Sequence, residues 1–167
     1  MGIRRQCKHL VQAQWRVRHV FKRSVLERIE RVIAETELTH GGQVRFVVEG
    51  ALDGVPLFHD QPSWERALDF FAHLHIWDTA HNNGVLIYLL LADHRVEIVA
   101  DRGINQFVGS HIWEEICREM ESEFGQGRYE EGVIRGIEAV SMQLAKYYPA
   151  QGPHPNELPD WPVVVRR

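Results

Sequence analysis

Four residues with oxygen-bearing side chains lie near the middle of the chain in a pattern that suits cation binding. They are Asp78, Asn82, Asn83 and Asp101. Calcium takes about six to eight oxygen ligands, which carboxylates, amide carbonyls, backbone carbonyls and water can all supply. The sequence therefore predicts a divalent-cation site, for calcium or magnesium, at these four residues. Glu37 and Thr39 are further candidates for the ligand set.

The same side chains have a purely structural alternative. Aspartate and asparagine readily form hydrogen bonds with nearby backbone groups. Asp78 can therefore cap the end of a helix, and Asn82 and Asn83 can cap the entry to a strand. The residue types alone do not decide between a cation site and a set of caps.

Arg102 gives the predicted site a second possible chemistry. An ion pair with the adjacent Asp101 at the surface would contribute only about 0 to 1 kcal/mol. The planar guanidinium can instead bind a phosphate through two parallel hydrogen bonds. A cation held by Asp78 and Asp101 would then stabilise charge on the phosphoryl group and supply a bound water as nucleophile. This hypothesis makes Asp101, Arg102 and Asp78 the catalytic residues of a phosphatase-like hydrolase.

The elements around these residues explain why distant positions should meet. Residues 85–92 are apolar throughout, which favours a strand in the middle of a covered sheet. The alternating segment that follows predicts an antiparallel partner, joined by a two-residue turn at Asp93-His94. Pairing about that turn puts Asn82-Asn83 and Asp101-Arg102 at the same edge of the sheet.

The segments before this hairpin predict a helix, a strand and a second helix. Ser24-Val25-Leu26-Glu27 has the form of a capping box, so a helix should begin at Ser24 and stop before His40. Its predicted buried stripe contains Val25, Ile29, Val32 and Ile33. A strand follows over Gln43 to Glu49. The second helix begins at Pro62-Ser63, and its apolar positions are Trp64, Leu68, Phe71 and Leu74.

The order strand, helix, strand predicts a parallel pair with a right-handed crossover. Since parallel strands begin at one edge, residues 39–42 should lie near Asn82-Asn83, with Trp77 and Asp78 close by. The fold class is therefore α/β, an α/β/α sandwich with a mixed, mainly parallel central sheet containing a hairpin at about residues 84–101.

Two further helices and a proline-rich segment complete the predicted domain. Ser110 is the predicted cap of one helix, which Gly125 and Gly127 end. The last helix carries on its apolar face Val133, Ile137, Val140, Leu144 and Tyr147. Residues 149–167 hold five of the seven prolines and predict an extended strap, in which residues 163–165 can add to a sheet edge.

Charge divides the chain into a basic arm and an acidic body. Residues 1–23 contain seven Lys or Arg and no carboxylate, whereas the rest has 12 basic and 23 acidic residues. Such an arm can meet an anionic membrane surface, while nucleic acid is the less favoured partner. It can equally pack its apolar residues on the domain. The predicted boundaries are 1–23 for the arm, 24–148 for the domain and 149–167 for the strap.

Other function classes find little support in the sequence. No apolar run approaches the roughly 20 residues that span a bilayer, and residues at the N-terminus lack the apolar core typical of a signal peptide, so a cytoplasmic location is expected. Cys7 and Cys117 have no spacing typical of disulfides or metal sites. His73 and His75 would point to opposite sides of a helix, which argues against a zinc site. We expect no organic cofactor.

Three short motifs, in this order and spacing, resemble the TPM domain family. They are Gly41-Gly42-Gln43-Val44, then Asn82-Asn83-Gly84 before the hydrophobic strand, then the segment 124–132 followed by Gly136-Ile137. The resemblance covers about residues 25–147. It implies an α/β sandwich, and several members of that family bind calcium or show acid phosphatase activity. The family pattern also implies an aspartate shortly after the second hairpin strand, yet residues 104–111 contain no carboxylate.

The expected function is therefore that of a divalent-cation binding or interaction module. A metal-dependent phosphatase-like hydrolase is the first alternative. A membrane-associated adaptor that works through residues 1–23 is the second.

Overall fold

The protein is built on a four-stranded mixed sheet. A computed structural model describes residues 15–52 and 61–165. The strands are β1 (Gln43–Glu49), β2 (Gly84–Leu90), β3 (Arg95–Ala100) and β4 (Val163–Val165), in the spatial order β3-β2-β1-β4. β1 pairs in parallel with both β2 and β4, and β2 pairs antiparallel with β3. The predicted parallel pair, the hairpin and the added edge strand are all confirmed.

Six helices of the described chain cover this sheet. They are α1 (Trp15–Val20), α2 (Arg23–Glu37), α3 (Ser63–His73), α4 (Arg102–Val108), α5 (Ser110–Gly125) and α6 (Tyr129–Tyr147). None of them is both long enough and apolar enough to span a lipid bilayer.

Two hydrophobic cores lie on opposite faces of the sheet because side chains alternate along each strand. Phe46 and Ile87 belong to the first core, which α2, α5 and α6 cover. Leu86 and Tyr88 belong to the second core, beneath α3. Both faces of β2 are therefore buried, which explains why its sequence is apolar throughout. The predicted α/β/α sandwich is confirmed.

The predicted start of α2 is wrong by one residue. The predicted capping box is also wrong. The helix begins at Arg23, and Lys22 precedes it without a side-chain cap. The Glu27 carboxylate instead accepts a hydrogen bond from Arg23 Nε at 2.8 Å. Of the predicted stripe, Ile29 and Ile33 are buried. The other two positions, Val25 and Val32, are only half-buried, and Leu26 takes the inner position.

The hairpin turn has four residues rather than the predicted two. Leu90 pairs with Arg95, so residues 91–94 form the turn. The backbone N–H of Leu91 donates to the Glu49 carbonyl at 2.9 Å, and Ala92 donates to Gly50 at 3.0 Å. These bonds to the neighbouring strand hold the chain on its course beyond β2. The chain therefore reverses direction later than the alternating sequence pattern predicted.

Helix α4 was not predicted, and the cap assigned to Ser110 is wrong. Asp101 caps α4, which occupies a stretch to which the sequence assigned no element. Gly109, with φ of 78°, separates α4 from α5 and stands in the N-cap position of α5. Ser110 is the first residue of that helix and makes no side-chain cap. Glycine adopts a positive φ without strain, so Gly109 is the sequence feature that marks this boundary.

The two ends of the described chain pack on the domain. Val17 and Phe21, from the predicted basic arm, are buried in the first core. At the other end the buried Gln43 Oε1 accepts hydrogen bonds from the backbone of Glu157 and Leu158, at 2.9 and 2.8 Å. Predictions for residues 1–14, which include Cys7 and part of the arm, lie outside the described residues, as do residues 53–60.

A buried ion pair crosses the second core. Arg66 of α3 donates from Nε and Nη2 to the two carboxylate oxygens of Glu49, both at 2.9 Å. Tyr88 donates its hydroxyl to the same carboxylate at 2.7 Å. The Arg66 guanidinium also lies 4.6 Å from the centre of the Phe70 ring. This network lets a carboxylate that is 1% exposed remain inside the sandwich.

Replacing Arg66 by Met should strongly destabilise the fold. The buried Glu49 carboxylate then loses its guanidinium partner, and removing one member of a buried pair costs about 3 to 5 kcal/mol. The matched control is Arg23→Ala, which removes an exposed pair with Glu27 and should change the free energy of unfolding by under about 0.5 kcal/mol. Urea denaturation of both variants measures the difference. Equal losses of stability in the two variants would show that burial of the ion pair does not determine the cost of breaking it.

Gly84→Ala should also destabilise the protein, by about 1 to 3 kcal/mol. A Cβ atom at Gly84 would overlap the carbonyl of Ile76, which is backbone and cannot rotate away. Gly125 has open space at the same atom and serves as the control. Thermal unfolding should show a lowered Tm for Gly84→Ala and a near-unchanged Tm for Gly125→Ala. A Gly84→Ala variant as stable as the parent would contradict the close approach.

Candidate functional site

The start of β2 and the end of β3 bring four of the predicted site residues together. Asp101 donates its backbone N–H to the Gly84 carbonyl at 2.9 Å, one step beyond the pair Val85 and Ala100. The Asn82 carbonyl accepts a bond from Ile104 of α4 at 3.3 Å. Asn82, Asn83, Asp101 and Arg102 therefore surround the start of α4, at the sheet edge that the hairpin pattern indicated.

Asn83 is fully buried and joins this edge to the loop before β1. Its side-chain Nδ2 donates to the Gly41 carbonyl at 3.0 Å, and its backbone N–H donates to Thr79 Oγ1 at 3.1 Å. Because the Gly41 carbonyl can only accept, the amide must turn its nitrogen toward it. The Asn83 Oδ1 atom is then buried with no hydrogen-bond partner in the described structure.

Asp101 is 8% exposed and uses one oxygen as a helix cap. Its Oδ1 accepts the backbone N–H of Arg102 at 2.7 Å, at the start of α4. Its Oδ2 is buried and has no hydrogen-bond partner among the described residues. Burial raises the pKa of Tyr148, and the charge of Asp101 adds to that rise. Helix capping thus explains the hydrogen bond of Asp101 Oδ1 but gives no partner to the buried Oδ2.

Asp78 and Arg102 lie at the periphery of this arrangement. Both are exposed. Asp78 donates its backbone N–H to the His75 carbonyl at 2.9 Å, in the turn after α3. No ion pair joins the Arg102 guanidinium to Asp101 within residues 15–52 and 61–165. The catalytic roles expected for Asp78 and Arg102 therefore remain predictions, since no hydrogen bond or ion pair of either side chain links it to Asp101 among the described residues.

Glu37 and Thr39, the two further ligand candidates, have structural partners. Glu37 Oε1 accepts the backbone N–H of Val44 at 2.8 Å, on the side of β1 that β4 leaves open because it pairs only with residues 47–49. The Thr39 hydroxyl donates to the Thr36 carbonyl at 2.7 Å. Burial raises the pKa of Glu37 to about 8, and the bond from Val44 and the charge of Arg45 oppose that rise. Glu37 therefore pairs with a backbone N–H at the open edge of β1 rather than with the residues of the predicted site.

His40 and Tyr148 belong to the surroundings of the site. The sequence placed residues 39–42 there but gave His40 no role, and it did not indicate Tyr148. His40 is fully buried, and its Nδ1 accepts the backbone N–H of Gly42 at 3.3 Å. Burial lowers the pKa of His40 to about 4, so the ring is neutral near pH 7. The carbonyl of Tyr148 accepts the Gly41 N–H at 2.8 Å. No sequence pattern indicates Tyr148, because only the tertiary fold brings residue 148 beside residue 41.

A transition-metal site finds no support in the described part of the chain. No group of three or more His, Cys, Asp or Glu side chains there is placed to hold a metal ion. His73 is the last residue of α3, and His75 follows it with φ of 53°. An ion at the sheet edge would instead rely on carboxylate, amide, carbonyl and water oxygens, which are ligands of hard cations.

Glu37 predicts a specific pH dependence of stability. Its pKa is about 8 when folded and 4.5 when unfolded, so the folded state holds a proton that the unfolded state releases. Its contribution to stability should be complete below pH 4.5 and lost as the pH rises to about 8. Glu37→Gln keeps the acceptor for Val44 but cannot titrate. Denaturation at several pH values should therefore show the parent losing stability relative to Glu37→Gln across this range. A constant difference between the two proteins would contradict the shifted pKa.

Comparisons with known proteins agree with this fold. A sequence model of the TPM domain matches residues 17–143. The solved NMR structure of the BA42 protein from the psychrophilic bacterium Bizionia argentinensis is similar, with a TM-score of 0.73 and 30% sequence identity. The similarity covers 85% of this chain and 93% of that one. None of the curated proteins matches this chain significantly.

A second solved structure shares the fold at lower sequence identity. It is the N-terminal domain of a protein from P. gingivalis, with a TM-score of 0.62 and 19% identity. The match covers 78% of this chain and 82% of that one. The TPM match begins at residue 17, which agrees with the burial of Val17 in the first core. From the sequence match and the shared fold together, the chain belongs to the TPM domain family.

Proposed function

We propose that the protein is a divalent-cation binding module and that its site is the sheet edge at Asn83 and Asp101. The observation that carries this proposal is the pair of buried oxygens, Asn83 Oδ1 and Asp101 Oδ2, that have no hydrogen-bond partner among the described residues. Buried polar atoms are nearly always paired in folded proteins, and an exception calls for an explanation. A bound cation would supply the missing partner for both oxygens.

The chemistry of these donors fits a hard cation. Asp101 would contribute a carboxylate oxygen and Asn83 an amide oxygen, while Asn82 and Asp78 are the remaining candidates from the sequence. Calcium tolerates an irregular set of oxygens and completes its shell with backbone carbonyls and water. Magnesium demands a nearly octahedral shell and loses its waters reluctantly. The mixed donor set therefore favours calcium over magnesium.

Cation binding would tie together three separate segments of the chain. Asn83 precedes β2 and holds the Gly41 carbonyl through its amide. Asp101 follows β3 and caps α4. An ion held between these two side chains would stabilise the loop before β1, the hairpin ends and α4 as one unit. This points to a binding or interaction module, in which ion occupancy orders a surface.

The two alternative functions have weaker support. Phosphoester hydrolysis would need Asp78 or Arg102 to act with Asp101, and both side chains are exposed without a contact to it. The membrane adaptor would work through the basic arm, yet Val17 and Phe21 of that arm are buried in the core. Residues 1–14, where the remaining charges of the arm lie, are outside the described structure.

Titration with Ca²⁺ followed by amide NMR tests the proposed function. We expect saturable shifts centred on Asn83 and Asp101, and a higher Tm in Ca²⁺ that a chelator reverses, because a ligand that binds only the folded state stabilises it. Asp101→Asn keeps an oxygen that can cap α4 but removes the charge. It should weaken Ca²⁺ binding about 10- to 100-fold, the range for a contact to a charged group.

Asp78→Asn is the matched control for this experiment. It removes the same charge from an exposed position that, among the described residues, has no ion pair and makes its backbone hydrogen bond to His75. An unchanged affinity would restrict the site to the buried pair, whereas an equal loss would extend it to Asp78. If the parent shows no localised shift at millimolar Ca²⁺ or Mg²⁺, the proposed function is wrong.

A further inference from the structure

An exposed aromatic stack lies beside the proposed cation site. Phe107, on α4, is 52% exposed although one face of its ring is covered. That face stacks on Tyr147, with ring centres 5.3 Å apart and planes 13° from parallel. Tyr148 meets Phe107 edge-on at 6.3 Å. The rings behind Phe107 hold it in one orientation, so its outer face is a rigid apolar surface of about one ring.

Tyr148 connects this stack directly to the proposed site. Its carbonyl accepts the N–H of Gly41, whose own carbonyl holds the Asn83 amide. A ligand that touches Phe107 and extends past Tyr148 would therefore reach the edge where Asp101 and Asn83 lie.

One positive charge lies beside the stack, and a second lies at the start of the same helix. Lys146 Nζ lies 5.0 Å from the centre of the Tyr147 ring. Arg102 is exposed next to Asp101, and Phe107 lies five residues later, about 7.5 Å along the helix axis and about 140° around it. Neither cation pairs with a carboxylate within the described residues. The Arg102 charge next to Asp101 can thus complement an anion at the site.

The size of the apolar surface argues against a protein partner. A stable protein interface buries about 800 Å² on each side. Phe107 is instead the one exposed large apolar side chain of α4. A single exposed ring face suits a single planar group. Bases stack on aromatic side chains in this way, and the stacking tolerates different bases.

We infer that the ligand of this edge is a small phosphorylated molecule that carries a planar aromatic ring, of which a nucleotide is the simplest example. Its ring stacks on the outer face of Phe107. Its phosphate meets Arg102 and the cation held by Asn83 and Asp101, so the inference rests on the proposed function. The stack selects the ring, and the cation with Arg102 selects the phosphate.

Binding of AMP and of ribose 5-phosphate in Ca²⁺ tests this inference, because the two differ by the base alone. Affinities are measured by calorimetry on the full chain. AMP should bind the parent about 5- to 100-fold more tightly, the range expected for stacking of one base. Phe107→Ala should abolish this preference, whereas Phe107→Tyr should retain it. Trp64→Ala, which removes an equally exposed aromatic from α3, should leave the preference intact.

Amide NMR of each sample with Ca²⁺ alone separates the two proposals. Phe107→Ala should give the parental Ca²⁺ shifts at Asn83 and Asp101, which also shows that the variant is folded there. Equal or undetectable binding of both ligands alongside normal Ca²⁺ binding overturns the inference and leaves the cation site. Loss of Ca²⁺ binding in the parent overturns the proposed function first. Binding of phosphatidylserine vesicles that Phe107→Ala abolishes would replace the ligand by a membrane surface and also overturn the inference.

Discussion

β1 and β2 are paired over seven residues and buried on both faces, so each polar group that enters this pair must find its partner inside the protein. Much of the remaining structure follows from that constraint. Glu49 enters the second core and is held by Arg66 and Tyr88. Gln43, at the other end of β1, is buried and holds the C-terminal strap through its side-chain oxygen. The strap is therefore attached to the sheet by a hydrogen-bond requirement as well as by β4.

The pairing of buried polar atoms is incomplete at the proposed site, and among the described residues also at His40 Nε2 and Ser141 Oγ. Asn83 and Asp101 each have a structural task, one holding the Gly41 carbonyl and the other capping α4. Each also keeps a buried oxygen without a hydrogen-bond partner in the described chain. Everywhere else along the two central strands the described carboxylates and amides are matched by a donor or an acceptor. A structural role and a binding role are thus compatible, because they use different atoms of the same side chains.

The sequence predicted which segments meet at this edge better than it predicted which of their side chains are buried. Hairpin pairing and parallel order were sufficient to bring residues 82–83, 101–102 and 39–42 to one edge, since both depend on hydrophobic patterns that the chain shows clearly. Which side chains turn inward could not be read in this way. Asp78 and Asp101 are both carboxylates near element ends, yet only Asp101 is buried. Its burial comes from α4, a seven-residue helix whose sequence has no apolar repeat long enough to recognise.

By itself the sequence determined the α/β class, the order of the long elements and the TPM resemblance, because these rest on local periodicity and on motifs of fixed spacing. It also placed β1 at residues 43–49 and β4 at 163–165. Tertiary structure alone decided the turn length at residues 91–94, the roles of Glu37 and His40, and the aromatic stack of Phe107 with Tyr147 and Tyr148. Those features join residues far apart in the chain. Their energies come from burial and pairing across elements, which no local pattern encodes.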